Sequence, residues 1–162
     1  VKLNFLLGLR VGELVALKWD DYININHLHI VREEVRNQVT NRYEVVEHTK
    51  TNRDRFVVLV PKAINILQKI GQTGDYIFMR DGERLTSRQI AYVLEKYAER
   101  QGLSTKSTHK MRKTFASNLN ASGVPLDCIR ELLGHSNLNT TLGYIYNPLT
   151  EKETYDLISK AL

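Results

Sequence analysis

Three segments of this sequence hold arginine, histidine and tyrosine at spacings suited to phosphoryl chemistry. The first reads GLRVGEL, with Arg10 among apolar neighbours and Glu13 one helical turn further on. A lone arginine is usually solvated, but one set among buried residues needs a specific anionic partner, and Glu13 could be that partner. The second reads THKMRKTFA, where His109 and Arg112 are three apart and share a face on any helix. Thr108 before them places the pair in a first turn, where free amides also favour an anion. The third reads ELLGHSNLNTTLGYIY, in which Gly134 ends a helix, His135 follows at once and Tyr144 comes nine residues later. Each segment also has a plainer reading: a chance i, i+3 pair, a capping or core histidine, one half-buried tyrosine among eight.

Together they contain what a protein needs to break a phosphodiester with side chains alone. That is a nucleophile, fixed cations around the phosphoryl oxygens and an acid for the leaving oxygen. Arginine suits the clamp because its planar fork matches two oxygens and keeps its charge. Other chemistries find less support. His27 and His29 alternate on a strand without a third ligand pattern, so no metal site is expected, and Gly8 and Gly12 form no phosphate loop.

These residues must be positioned by the elements between them. Leucines and valines at helical spacing predict a helix over residues 3 to 17. HLHIV, Tyr43 to Val46 and Phe56 to Val60 predict a small antiparallel sheet of about three strands. The polar EHTKTNRDR puts Lys50 at or near the final turn. Pro61 opens a helix that closes at Gly71, and a second runs from Ser87 to Gln101. Thr108 caps a third, His109 to Ala121, and Pro125 opens a fourth that stops at Gly134. A short helix is expected from about Asn139 to Ile145. Thr150 with Glu153 forms a capping box for a tail helix, Glu151 to Leu162. The fold class is therefore α+β, mainly α, with 162 residues forming one domain around a small inserted sheet.

Charge is mildly biased toward base, with 23 Lys plus Arg against 18 Asp plus Glu and a net charge of +5. Residues 100 to 126 hold Arg100, Lys106, Lys110, Arg112 and Lys113 and no acid, so this one stretch equals the whole surplus. It is either a solvated face or a surface for an anionic polymer. The single cysteine, Cys128, excludes an internal disulfide, fits a reducing, cytoplasmic setting and is expected to pack in the core. No secretory signal or membrane span is read, since Arg10 and Glu13 interrupt the apolar opening. The chain starts on Val1 inside an expected helix and is read as a fragment of a longer protein.

In order, these segments resemble the tyrosine recombinase family of the phage-integrase type. GLRVGELVALKWDDY is similar to its first box, TKT to its lysine hairpin, HKMRKTFAS to its His-x-x-Arg box and LGHSNLNTTLGY to its last box. The resemblance implies a helical catalytic domain whose catalytic residues are Arg10, Lys50, His109, Arg112, His135 and Tyr144, with Glu13 supporting. It implies a site-specific DNA recombinase or integrase of a mobile element that cleaves DNA through a 3′-phosphotyrosyl link, without metal, ATP or other cofactor. Tyr144 would attack, the arginines would stabilise charge, the histidines would donate hydrogen bonds and Lys50 would protonate the 5′ oxygen. The step from His135 favours Tyr144 over Tyr146 as nucleophile. Lys106, Lys110 and Lys113 would touch DNA phosphates. Lys113 stands where many members have a second histidine. The partner would be double-stranded DNA, with assembly into a tetramer on it, although the isolated fragment could be a monomer. The family's N-terminal DNA-binding domain and the opening helix of the catalytic domain are absent from these residues. Two other readings share part of the pattern: a type IB topoisomerase-like nicking-closing enzyme and a DNA-binding module without catalysis.

Overall fold

The computed structural model describes residues 2–24, 26–146 and 149–162. The expected first helix is two. Helix α1 (Lys2–Leu7) stops at Gly8, and α2 (Val11–Val15) restarts beyond Arg10. Gly8 takes φ +60°, and its backbone presses on the Phe115 ring where a Cβ would collide. Both features require glycine, and the break lifts Arg10 out of a helix interior and makes it the N-cap of α2.

A 3-10 turn (Trp19–Asp21) leads to strands β1 (Tyr22–Asn24) and β2 (His27–Ile30). Next come β3 (Glu33–Arg36), β4 (Tyr43–Val46) and β5 (Arg55–Val58). The antiparallel three-stranded sheet has the order β1-β2-β5. Tyr43 to Val46 is a strand as expected, but it pairs with β3 in a separate hairpin, Glu33 opposite Val46 and Arg36 opposite Tyr43. The short EEVR strand lacks an apolar alternation that would announce it. On β5, Arg55 and Val57 face inward while Phe56 and Val58 face out, and Phe56 stacks on His29 at 4.5 Å between ring centres.

Helix α3 (Pro61–Ile70) starts on Pro61 and ends at Gly71, and a minor hairpin, β6 (Met79–Arg80) with β7 (Glu83–Arg84), precedes α4 (Ser87–Arg100). Helix α5 (Thr108–Ala121) is capped one residue earlier than expected, by the Ser107 side chain accepting from the Lys110 amide. Then follow α6 (Leu126–Leu133), α7 (Leu138–Leu142), and the tail helix α8 (Glu151–Ala161) with its Thr150–Glu153 capping box. Cys128 faces solvent on α6, not the core, because Ile129 and Leu133 form the buried stripe of that helix.

Two apolar clusters flank the site. Leu3, Leu7, Leu9, Leu14 and Leu17 meet Leu28, Ile30, Val57 and Leu67 across α1, α2, the sheet and α3. Ala116, Ile129 and Leu133 form a smaller cluster, against which Phe115, Tyr144 and Ile145 pack. No helix among the described residues is long and apolar enough to cross a membrane.

Candidate active site

Arg112 sits on α5 between the two clusters with only 1% of its surface exposed. Its guanidinium donates to the Gly8 carbonyl at 2.6 Å and to the Leu133 carbonyl. One side chain thus ties the break after α1 to the end of α6. Its Nε is buried without a partner among the described residues. Burial lowers its pKa to about 10, against the pull of nearby Glu13, so it stays charged at neutral pH.

Glu13 is the anion at the centre of this charge. Its carboxylate accepts from Arg10 Nη1 at 2.7 Å, from Arg55 Nη1 at 2.9 Å and from Arg55 Nη2 at 2.7 Å. The Arg10 amide completes the set at 2.8 Å, and Arg112 Nη1 lies 3.8 Å away. Burial opposes its charge, but Arg55, Arg112 and Arg10 outweigh burial and lower its pKa to about 2. The expected Arg10–Glu13 pair is present, and it belongs to a larger network.

Arg55 was not singled out by its sequence context. It forks onto Glu13 and donates from Nε to the Leu132 carbonyl at 2.8 Å, joining β5 to α6. The signal that could have found it is its phase: it alternates with Val57 on the inward face of a strand, where a charge needs a partner.

His135 follows Gly134, which takes the left-handed conformation at φ +63°. The Gly134 and His135 amides bond back to Glu131 and Arg130, and this helix stop delivers the imidazole into the site. His135 Nδ1 lies 3.0 Å from Thr141 Oγ1, and Nε2 is buried without a partner among the described residues. Burial, then the charges of Arg112, Arg10 and Arg55, lower its pKa to about 4, so the ring is neutral at pH 7.

Tyr144 stands between the two histidines. Its ring meets His135 edge-on at 4.6 Å and His109 at 4.9 Å, with the Arg112 guanidinium 5.9 Å from its centre. Its hydroxyl lies 3.4 Å from His109 Nδ1. Burial, followed by Lys113, Arg112 and Arg10, holds His109 below its ordinary range. Tyr146 points elsewhere: its hydroxyl donates to Thr114 Oγ1 at 2.9 Å.

Arg10, His109 and Arg112 line one cleft of about 140 Å³ with Leu9, Val11 and Thr108. A larger cavity of about 640 Å³ is lined by Lys106, Lys110 and Lys113 together with Tyr144. Lys113 is also tied to the Gly143 carbonyl at 3.1 Å, which fixes the loop before Tyr144. Lys50 is not brought into this cluster. It is exposed in the turn between β4 and β5, a turn pinned by Thr49 Oγ1, which accepts from the Arg53 amide and donates to the Arg53 carbonyl.

Residues 1–153 match the model of the phage integrase family. The tyrosine recombinase XerA of Thermococcus kodakarensis is 34% identical over 152 residues, 88% of this chain and 47% of that protein. The tyrosine recombinase XerC of Haemophilus ducreyi is 31% identical over 155 residues, 90% of this chain and 46% of that protein. The chain thus spans about half the length of these curated relatives. Among solved structures, the Tn1549 transposon integrase with circular intermediate DNA superposes with a TM-score of 0.79 at 18% identity, covering 99% of this chain and 58% of that one. The XerA recombinase crystal structure gives 0.73 at 19%, covering 98% and 53%. These likenesses confirm the mainly helical α+β fold with its small antiparallel sheet, and the chain belongs to the phage integrase family.

Proposed function

We propose that this chain is the catalytic part of a site-specific DNA recombinase that cuts and rejoins strands through a tyrosyl phosphate. The observation that carries the reading is the packing of His109, His135 and Arg112 around the Tyr144 side chain, with Arg10 lining one cleft with His109 and Arg112.

In this reading a scissile phosphate enters the cleft between Arg10 and Arg112. Tyr144 Oη attacks phosphorus, the bond to the 5′ oxygen breaks, and the chain becomes linked to the 3′ end. His109, neutral at pH 7 and nearest the hydroxyl, is placed to take the tyrosine proton. Its 3.4 Å contact is long, as catalytic hydrogen bonds often are before substrate binds. The arginines offset the charge that builds on the phosphoryl oxygens, and His135 Nε2 and Arg112 Nε are buried groups without partners among the described residues. Lys50 supplies the proton to the departing 5′ oxygen. Attack by another 5′ hydroxyl reverses each step, so the bond energy is kept without ATP.

The Tn1549 relative was solved with circular intermediate DNA, and double-stranded DNA is the partner this basic cavity fits. Lys106 and Lys110 would hold phosphates and orient the duplex rather than read bases. Four such chains would assemble on paired sites.

The test is covalent capture. Nicked suicide duplexes from a sequence-randomised pool are incubated with the chain, and adducts are collected and mapped by mass spectrometry. Adducts on Tyr144, lost in Tyr144→Phe and kept in Tyr146→Phe, support the reading. The opposite pattern would reassign the nucleophile, and no adduct at all would leave a DNA-binding module.

A further inference from the structure

Glu33 opens β3 directly opposite Val46, the last residue of β4. His48 and Lys50 follow two and four residues beyond that point. On its other side β3 lies so close to α2 that a Cβ on Gly12 would come within 2.7 Å of the Glu34 carbonyl oxygen. Glu33 is therefore fixed between the helix that carries Glu13, capped by Arg10, and the segment that carries Lys50.

Its side chain is unusual for its surroundings. The residue is 8% exposed, yet among the described residues its carboxylate has neither an ion pair nor a hydrogen bond. Glu34 next to it is fully engaged, by Arg84 at 2.6 Å and by the Ser87 amide at 2.8 Å. Burial and the charge of Glu13 raise the Glu33 pKa, while Arg10, His48 and Lys50 draw it down. The carboxylate oxygens keep some access to water, and a partly buried carboxylate of this kind is favoured when a cation meets it. Arg10 is already committed to Glu13. Lys50 is the exposed ammonium of the adjoining turn, on a flexible four-carbon stem.

Building on the recombinase reading, we propose that Glu33 is a positioning residue for the leaving-group acid, drawing the Lys50 ammonium out of solvent to the Arg10 end of the cleft. Lys50 Nζ gives one proton to the 5′ oxygen as its bond to phosphorus breaks and the Tyr144 Oη bond forms. Glu33 exchanges no proton. Its charge decides where the ammonium rests.

The test compares two nicked duplexes of a sequence captured by the wild-type chain, identical except that the bridging 5′ atom is oxygen in one and sulfur in the other. A thiolate departs without a proton, so the oxygen-to-sulfur rate ratio reports the acid alone. General acids contribute about 10²- to 10⁴-fold, and loss of positioning in Glu33→Gln should lower the ratio by on the order of tenfold. Lys50→Ala should lower it further, and the double variant should fall no lower than Lys50→Ala. Glu33→Asp, which keeps the charge, should recover part of the ratio and guards against a folding defect in the amide variant. Equal slowing of both substrates by Glu33→Gln, or no change in either, overturns the positioning role. A Lys50→Ala variant with an unchanged ratio overturns it as well, by removing the acid, whereas absence of any adduct from the wild-type chain is failure of the recombinase reading itself.

Discussion

The Glu13 carboxylate takes the Arg55 fork end-on, Nη1 to Oε1 at 2.9 Å and Nη2 to Oε2 at 2.7 Å, with no part of the Glu13 side chain exposed. Arg10 and Arg112 then stand on the same anion. Three guanidinium groups would repel one another here without it, so Glu13 is what allows Arg10 and Arg112 to line the same cleft.

Breaking a buried pair strands a charge, and removing one partner typically costs about 3–5 kcal/mol. Glu13→Gln and Arg55→Met should each lose about that much in urea unfolding. A loss below about 1 kcal/mol in either would mean that water replaces the missing partner.

Arg10, Glu13, His109, Arg112, His135 and Tyr144 were legible in sequence because each lies beside a glycine, a cap or an i, i+3 partner. Those local signals fix side-chain direction without long-range knowledge. Arg55 and Glu33 carry no such signal, since their placements arise from strand pairing and from α2 lying on β3. The single long helix over residues 3 to 17 failed for a related reason. Periodicity continues through Gly8, and the break there goes with its positive φ, its packing against Phe115 and the Arg112 bond to its carbonyl.

Arg10→Lys and Arg112→Lys keep the charge but lose the planar fork. Each should slow adduct formation by on the order of a hundredfold, as loss of one oxyanion donor does elsewhere. Their stabilities should differ. Arg112 holds the Gly8 and Leu133 carbonyls, so its lysine variant should also lose about 2 kcal/mol, counted as two hydrogen bonds. Arg10 is half-buried, and its variant should lose less. Single-turnover cleavage beside urea unfolding checks both, and near wild-type cleavage by either variant would reduce that residue to a point charge or to no role.

Acid should destabilise the fold in two stages. The folded state holds His135 near pKa 4 against an ordinary 6.5, so between those values the unfolded chain binds a proton that the folded chain refuses. Stability from this group is complete above pH 6.5 and falls as pH drops toward 4. Glu13, near 2 against 4.5, adds a second loss as pH falls below 4.5. Urea midpoints across pH 4 to 7 should decline toward acid in the wild type and decline less steeply in His135→Gln, where His109 still contributes. An unchanged slope in that variant would assign the decline to other groups.

Helix α8 raises a question of assembly. Its capping box holds, with Thr150 and Glu153 bonded reciprocally, but none of its residues is buried. Tyr155 is 70% exposed, and Leu157, Ile158 and Leu162 also face solvent. An isolated helix of about eleven residues is marginal in water, so this apolar face needs a surface to dock on. The described residues of its own chain do not cover it, and the prediction is that a neighbouring copy on DNA does. Docking in trans would then link assembly to the loop that carries Tyr144, because only a few residues separate α8 from that tyrosine. Deleting residues 150 to 162 should therefore weaken cooperative binding to paired half-sites more than binding to one half-site, measured by gel shift at fixed salt. Equal weakening on both would mean that α8 packs on its own chain once DNA is bound, and no weakening on either would deny it a part in assembly.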